Sequence, residues 1–181
     1  MGDVQIGVIG GSGMYEIEGL TDIDSRLPET PFGPPSDEIV TGTLRGVRIA
    51  FLPRHGRGHV LSPSELPSQA NIWALKMLGV QYILSISAVG SLRAELEPRH
   101  IVIPDQLIDR TKGIRPPSFF GDGIVAHVAF AEPYCPELRH IVYVATEEVM
   151  GNAAHDGGTL VVMEGPQFST RAESRFYRQI G

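Results

Sequence analysis

The sequence has a single cysteine, Cys135, among 181 residues. One thiol makes no intrachain disulfide and no cysteine-rich zinc site, and it fits a reducing, cytoplasmic setting. Positive charge is also scarce: 15 Lys and Arg stand against 21 Asp and Glu, a formal net charge of −6. An acidic chain lacks the cationic surface needed to neutralise a run of phosphates, so non-specific nucleic-acid binding is not expected. No apolar run approaches the roughly 20 residues that span a bilayer. The first residues, Met1-Gly2-Asp3-Val4, carry an acid where a signal peptide wants a base, so a soluble protein without membrane partners is expected. Walker A, G-x-S-x-G and H-E-x-x-H patterns are missing, and Gly11-Ser12-Gly13-Met14-Tyr15-Glu16 has Glu where a dinucleotide fingerprint needs its third glycine. Neither a metal site nor a protein nucleophile is indicated.

What is present is a globular composition, 42% hydrophobic and 20% charged, which excludes a disordered chain. A single domain over 1–181 is the expectation at this length, able to bury roughly 70% of its unfolded surface. The 21 glycines and 14 prolines are spread along the chain and mark loops rather than one linker. Short apolar runs predict strands at 5–9, 38–44, 47–52, 82–87, 101–103 and 160–163, the second and third joined by a tight turn at Arg45-Gly46. Helical spacing predicts helices over 68–78, across the stripe 138–149, and from about Thr170 to Ile180. Ser68 is the expected N-cap of the first helix, Gly79 its stop, and Ile72, Leu75, Lys76 and Leu78 fall at helical spacing. Residues 109–123 read as a long loop. Strands alternating with helices predict an α/β fold, and the early hairpin makes the central twisted sheet mixed, with helices on its flanks.

In such sheets ligands gather beyond the carboxyl ends of the strands. Four polar or glycine-rich segments fall there: 10–13, 54–59, 87–91 and 164–169. Glycines in Gly10-Gly11-Ser12-Gly13 can turn backbone N–H groups toward an anion, although an ordinary tight turn would look the same. Arg54 matches two oxygens of a phosphate and His55 can add a third donor, whereas Arg57 reads as a solvated base. Ser87 offers a hydroxyl at a strand end, or bonds its own backbone. Phe168 is either core or a platform for a flat ring.

Taken together these segments resemble the 5′-methylthioadenosine phosphorylase branch of the trimeric purine nucleoside phosphorylases. The matching blocks are Ile9-Gly10-Gly11-Ser12-Gly13, Thr30-Pro31-Phe32-Gly33, Arg54-His55-Gly56-Arg57-Gly58-His59, Gln69-Ala70-Asn71-Ile72-Trp73-Ala74-Leu75, Ser91-Leu92, Asp105-Gln106-Leu107-Ile108-Asp109-Arg110-Thr111, Ala131-Glu132-Pro133-Tyr134-Cys135-Pro136 and Glu164-Gly165-Pro166-Gln167-Phe168-Ser169-Thr170-Arg171-Ala172-Glu173. The resemblance implies a nucleoside phosphorylase fold and phosphate-dependent cleavage of methylthioadenosine to adenine and methylthioribose 1-phosphate. The alternatives are a phosphorylase for inosine or methylthioinosine, or an inactive homologue that only binds phosphate or other subunits. No cofactor is implied, since inorganic phosphate is a co-substrate. Ser12, Arg54, His55, Ser87 and the backbone of Ala88 would hold phosphate. His59 would lie near the sugar and its 5′ substituent, Phe168 would pack on the nucleoside, and His127 would reach a neighbouring subunit's pocket in a homotrimer. The 6-oxopurine branch has Glu directly after the Phe; Ser169 stands there instead and suits a 6-amino base.

The resemblance also implies an N-terminal portion of a longer pattern. The Asp that assists the leaving purine is expected beyond Gly181, which leaves no catalytic residue to name here, and apolar surface meant for later elements is expected to be exposed. Two local departures stand out. Pro67-Ser68 replaces a usual Asn-Tyr, and Arg99-His100 replaces Gly-Asp at a turn, where glycine fits best.

Overall fold

A computed structural model describes residues 4–11 and 18–180. The chain divides into two compact units, 1–88 and 89–181.

The first unit is built on β1 (Ile6–Gly10), β2 (Thr21–Arg26), β3 (Ile39–Leu44), β4 (Val47–Pro53), α1 (Ser68–Met77) and β5 (Tyr82–Ser85). They form one mixed sheet in the order β2-β3-β4-β1-β5. β2, β3 and β4 run antiparallel, while β1 lies between β4 and β5 and is parallel to both. The β3–β4 turn is as expected: Arg45 and Gly46 have φ of 49° and 82°, the two left-handed residues of a hairpin turn that follows the strand twist. β2 was not anticipated. Its sequence TDIDSR is mostly exposed and has one aliphatic residue, so it carries no alternation to read.

α1 starts differently from the expectation. Pro67, not Ser68, takes the N-cap position. Proline fixes φ and has no N–H to satisfy, so the helix begins directly behind it. The C-terminus stops as expected, at Gly79 with φ 92°. Gly79 N–H donates to Lys76 O and Val80 N–H to Leu75 O, at 3.0 and 3.2 Å, a Schellman closure. The buried face is Ala70, Asn71, Ala74 and Leu75, one step round from the positions picked out by spacing, and Ile72 is 37% exposed. Small alanines let α1 come close to the sheet, where Leu75 and Val80 join Val4, Ile39, Ala50 and Leu52 in the core. Gly7 shares in that closeness: a Cβ there would stand 3.0 Å from Val80 Cγ1. Asn71 is buried but satisfied. Its amide donates to Ser36 Oγ at 2.8 Å and its carbonyl accepts Ser36 N–H at 2.7 Å, clipping the proline-rich loop onto α1.

The second unit holds β6 (Ile101–Ile103), β7 (Gln106–Asp109), α2 (Pro136–Met150), β8 (Ala154–Asp156), β9 (Thr159–Val162) and α3 (Arg171–Ile180). β6 pairs with β8 and β7 with β9, both in parallel. Arg139 on α2 donates to Pro104 O and Asp156 Oδ1, tying the helix to the ends of both β6 and β8. His100 and His155 share a hydrogen bond of 2.9 Å. Thr170 and Glu173 bond each other's backbone N–H, a capping box at the start of α3. Much of this unit's apolar surface is open: Phe119, Phe120, Ile124, Val125, Val128 and Phe130 are all exposed. Among the described residues, no helix is long and apolar enough to cross a membrane.

Candidate functional site

Parallel pairing puts the carboxyl ends of β1, β4 and β5 on one edge of the first unit's sheet. The registers Gly10↔Pro53 and Ile9↔Ser85 bring Gly11, Arg54 and Ile86 out of the sheet side by side. Arg54 joins them. Its N–H donates to Gly10 O at 3.1 Å, and its guanidinium donates to Ile86 O at 3.1 Å. Ile86 N–H in turn donates to Ile9 O at 2.9 Å. A Cβ on Gly11 would lie 3.8 and 3.9 Å from the two terminal guanidinium nitrogens, so the cation sits against that loop. Ser87 and Ala88 follow Ile86 directly and are exposed. Ser12 lies outside the described residues.

Burial lowers the pKa of Arg54 from the usual arginine value, yet an arginine remains charged at neutral pH. Among the described residues, no carboxylate forms an ion pair with it. A partly dehydrated guanidinium with free donors at the meeting point of three strand ends is built to receive an anion.

His55, the next residue, is buried. Its Nδ1 lies 2.9 Å from Leu61 O. A carbonyl only accepts, so Nδ1 carries the proton in this hydrogen bond. Leu61 N–H returns a bond to His55 O at 3.0 Å. Between them the loop turns back through Gly56, Gly58 and His59, with φ of 71°, 83° and 57°. His59 N–H donates to Gly56 O at 3.0 Å, and the His59 ring stacks on His55 with centroids 4.3 Å apart and planes 17° from parallel. Arg57 is exposed, as read from the sequence, but its N–H is held by Asp37 Oδ2. Asp37 and Leu61 are fixtures of this loop that the sequence did not reveal, because their partners are set by the fold.

The remaining sequence candidates belong to the second unit. Phe168 is 91% exposed in this structure. Its loop is fixed at both ends. Arg115 Nε donates to Glu164 Oε2 at 2.9 Å and its terminal nitrogen to Glu164 O at 3.1 Å, and the Thr170–Glu173 cap closes the other side. Arg115 was hidden in the expected long loop; nothing local in the sequence links it to a residue 49 positions away. Ser169 Oγ lies 2.8 Å from Ser174 Oγ. His127 is exposed on an irregular segment. Among the described residues, no group of three or more His, Cys, Asp or Glu could hold a metal ion.

A partly buried arginine at the strand ends of a mixed α/β sheet places this chain among α/β proteins that gather their candidate ligand groups at the carboxyl edge of the sheet. The model of the phosphorylase superfamily matches residues 5–181, and the chain belongs to that family. It is 60% identical over 176 residues to an S-methyl-5′-thioadenosine phosphorylase of Geobacter sulfurreducens, covering 97% of this chain and 61% of that protein. An S-methyl-5′-thioadenosine phosphorylase of Gloeobacter violaceus is 61% identical over 180 residues, covering 98% and 60%. The crystal structure of a methylthioadenosine phosphorylase sourced from an antarctic soil metagenomic library superposes with a TM-score of 0.92 at 54% identity, covering 99% of this chain and 63% of that one. The methylthioadenosine phosphorylase of Schistosoma mansoni in complex with adenine gives 0.88 at 37% identity, covering 98% and 71%. The chain spans about 60% of the length of the curated relatives it matches.

Proposed function

We propose that this chain carries the phosphate cradle of a cytoplasmic phosphorylase that converts S-methyl-5′-thioadenosine and inorganic phosphate to adenine and 5-methylthioribose 1-phosphate. The observation that carries the reading is Arg54, half-buried, unpaired with any described carboxylate and pinned between three strand ends. Phosphate is itself the nucleophile. One of its oxygens bonds C1′ as the C1′–N9 bond breaks, and the electron pair leaves with adenine, which takes up a proton. Positive charge grows on the sugar, and an anion held beneath it stabilises that charge. Arg54, His55, Ser87 and the Ala88 backbone, with Ser12, are the proposed holders, and fixing phosphate in line with the sugar supplies the rest. Phosphate is the only added reactant, and no cofactor is invoked.

The names of the relatives support methylthioadenosine as substrate, and Ser169 supports a 6-amino base. Phe168 and His59 are the proposed nucleoside contacts, and the two units are read as parts of one nucleoside phosphorylase domain. The apolar side chains exposed around His127 support burial against further copies of the chain, so that His127 serves a neighbour's pocket in a homotrimer. The second reading is a chain that binds phosphate or other subunits without turnover.

A substrate panel tests the proposal. Purified protein is given methylthioadenosine, methylthioinosine and inosine with phosphate, and free base is measured. Adenine released from methylthioadenosine alone supports the reading. Hypoxanthine release moves the protein to the 6-oxopurine alternative. Phosphate binding without any free base means the second reading.

A further inference from the structure

We propose that Asp37 is a positioning residue for the phosphate site, acting on the loop that carries Arg54 and His55; this rests on the phosphate-cradle reading above. β4 delivers the start of that loop, where Arg54 N–H donates to Gly10 O at 3.1 Å. Further out the loop folds on itself. Gly56 N–H donates to Pro53 O and His59 N–H to Gly56 O, both at 3.0 Å. A bond between two residues of one loop shapes it, whereas a bond to a separate segment sets where it lies. Asp37 supplies a bond of the second kind. Its Oδ2 accepts the N–H of Arg57, which stands between the left-handed Gly56 and Gly58 at the turn of the loop.

The segment behind Asp37 is itself braced. Pro34 and Pro35 precede Ser36 and fix φ at two residues in succession, and Pro35 is buried. Asn71 of α1 holds Ser36 through its N–H and its hydroxyl. Ser36 O also lies close against the loop, since a Cβ on Gly56 would stand 3.2 Å from it. A line of contacts therefore runs from α1 through Ser36 and Asp37 to Gly56 and Arg57, the residues next to Arg54 and His55. The carboxylate is placed to hold backbone. Oδ1 accepts Glu38 N–H at 2.7 Å and Oδ2 accepts Arg57 N–H, and among the described residues no ion pair includes Asp37. Two roles then predict opposite signs. A negative charge acting only through space opposes an incoming phosphate, so its removal tightens binding. A carboxylate that sets the place of the loop supports binding, so its removal weakens it.

The test is calorimetric titration of the whole chain with inorganic phosphate. Four proteins are compared: wild type, Asp37→Ala, Asp37→Asn and Arg54→Met. Alanine removes both acceptors and the charge; asparagine removes the charge and keeps one acceptor oxygen. Circular dichroism confirms that each is folded. The expected result is that Asp37→Ala weakens phosphate binding about three- to tenfold, the range of one lost hydrogen bond, and that Asp37→Asn recovers part of the loss. Should Asp37→Ala fail to fold, Asp37→Asn decides alone, and weaker binding than wild type is expected of it. Two results overturn the inference while leaving the cradle intact. In one, the Asp37 variants bind phosphate as tightly as wild type or more tightly. In the other, Asp37→Asn is as weak as Asp37→Ala. If wild type binds no phosphate, or Arg54→Met binds it equally well, the cradle itself is wrong and the inference falls with it.

Discussion

Arg99 shows how one residue can conflict with its backbone. It sits between Pro98 and His100, and His100 N–H donates to Glu97 O at 3.1 Å. Proline at the second position and φ of 77° at Arg99 make a type II turn, whose third position wants glycine. The related sequences were expected to place glycine here, and the geometry gives the reason. Replacing Arg99 by glycine relieves a left-handed side chain at the cost of extra freedom in the unfolded chain. The expected gain is about 0.5–1 kcal/mol, read as a higher denaturant midpoint with unchanged slope. An unchanged or lower midpoint would mean that Arg99 makes compensating contacts. The same conflict appears at His59, whose left-handed backbone accompanies a ring stacked on His55.

At the scale of elements, β7 is closed by its own chemistry. Asp109 Oδ1 accepts the Thr111 hydroxyl at 2.7 Å and its N–H at 2.8 Å. The Thr111 hydroxyl is the main cause holding the Asp109 carboxyl below its usual value of 3.8. A depressed carboxyl favours the folded state above its unfolded pKa, and the advantage disappears as pH falls through the folded one. Thr111→Val is therefore expected to lose about 1–2 kcal/mol near neutral pH, with the gap to wild type closing as pH falls through the lowered Asp109 pKa. Thermal melts across that range check it; a gap independent of pH would assign the loss to packing of the buried Thr111 rather than to the carboxylate. The elements that could be read from sequence were those with an apolar run, a helical period or turn punctuation: β1, the β3–β4 hairpin, β5, β6, β9 and α1 to α3. β2 went unread because an exposed edge strand has no apolar alternation. β7 and β8 went unread because their short runs, QLID and AHD, are broken by polar and acidic residues and hold no apolar stretch. Ser68 misled because a good capping residue stands behind a proline that already starts the helix.

For the molecule as a whole, Arg54 and His55 stood out in the sequence because they directly follow a strand, and the structure places them at the carboxyl end of β4. The supports of that loop did not stand out. Asp37 holds Arg57 N–H from 20 positions away, and Leu61 fixes the His55 tautomer only because Gly56 and Gly58 turn the chain back. The central claim is that the strand-end cation binds the phosphate that does the chemistry. Its most direct measurement is adenine release from methylthioadenosine by wild type and Arg54→Met, with and without phosphate. Loss of a charged hydrogen-bond donor should cut the phosphate-dependent rate at limiting phosphate about 10- to 100-fold. The account predicts release that requires phosphate and falls by that factor in Arg54→Met. Release that ignores phosphate, or that survives the Arg54 substitution unchanged, would contradict it.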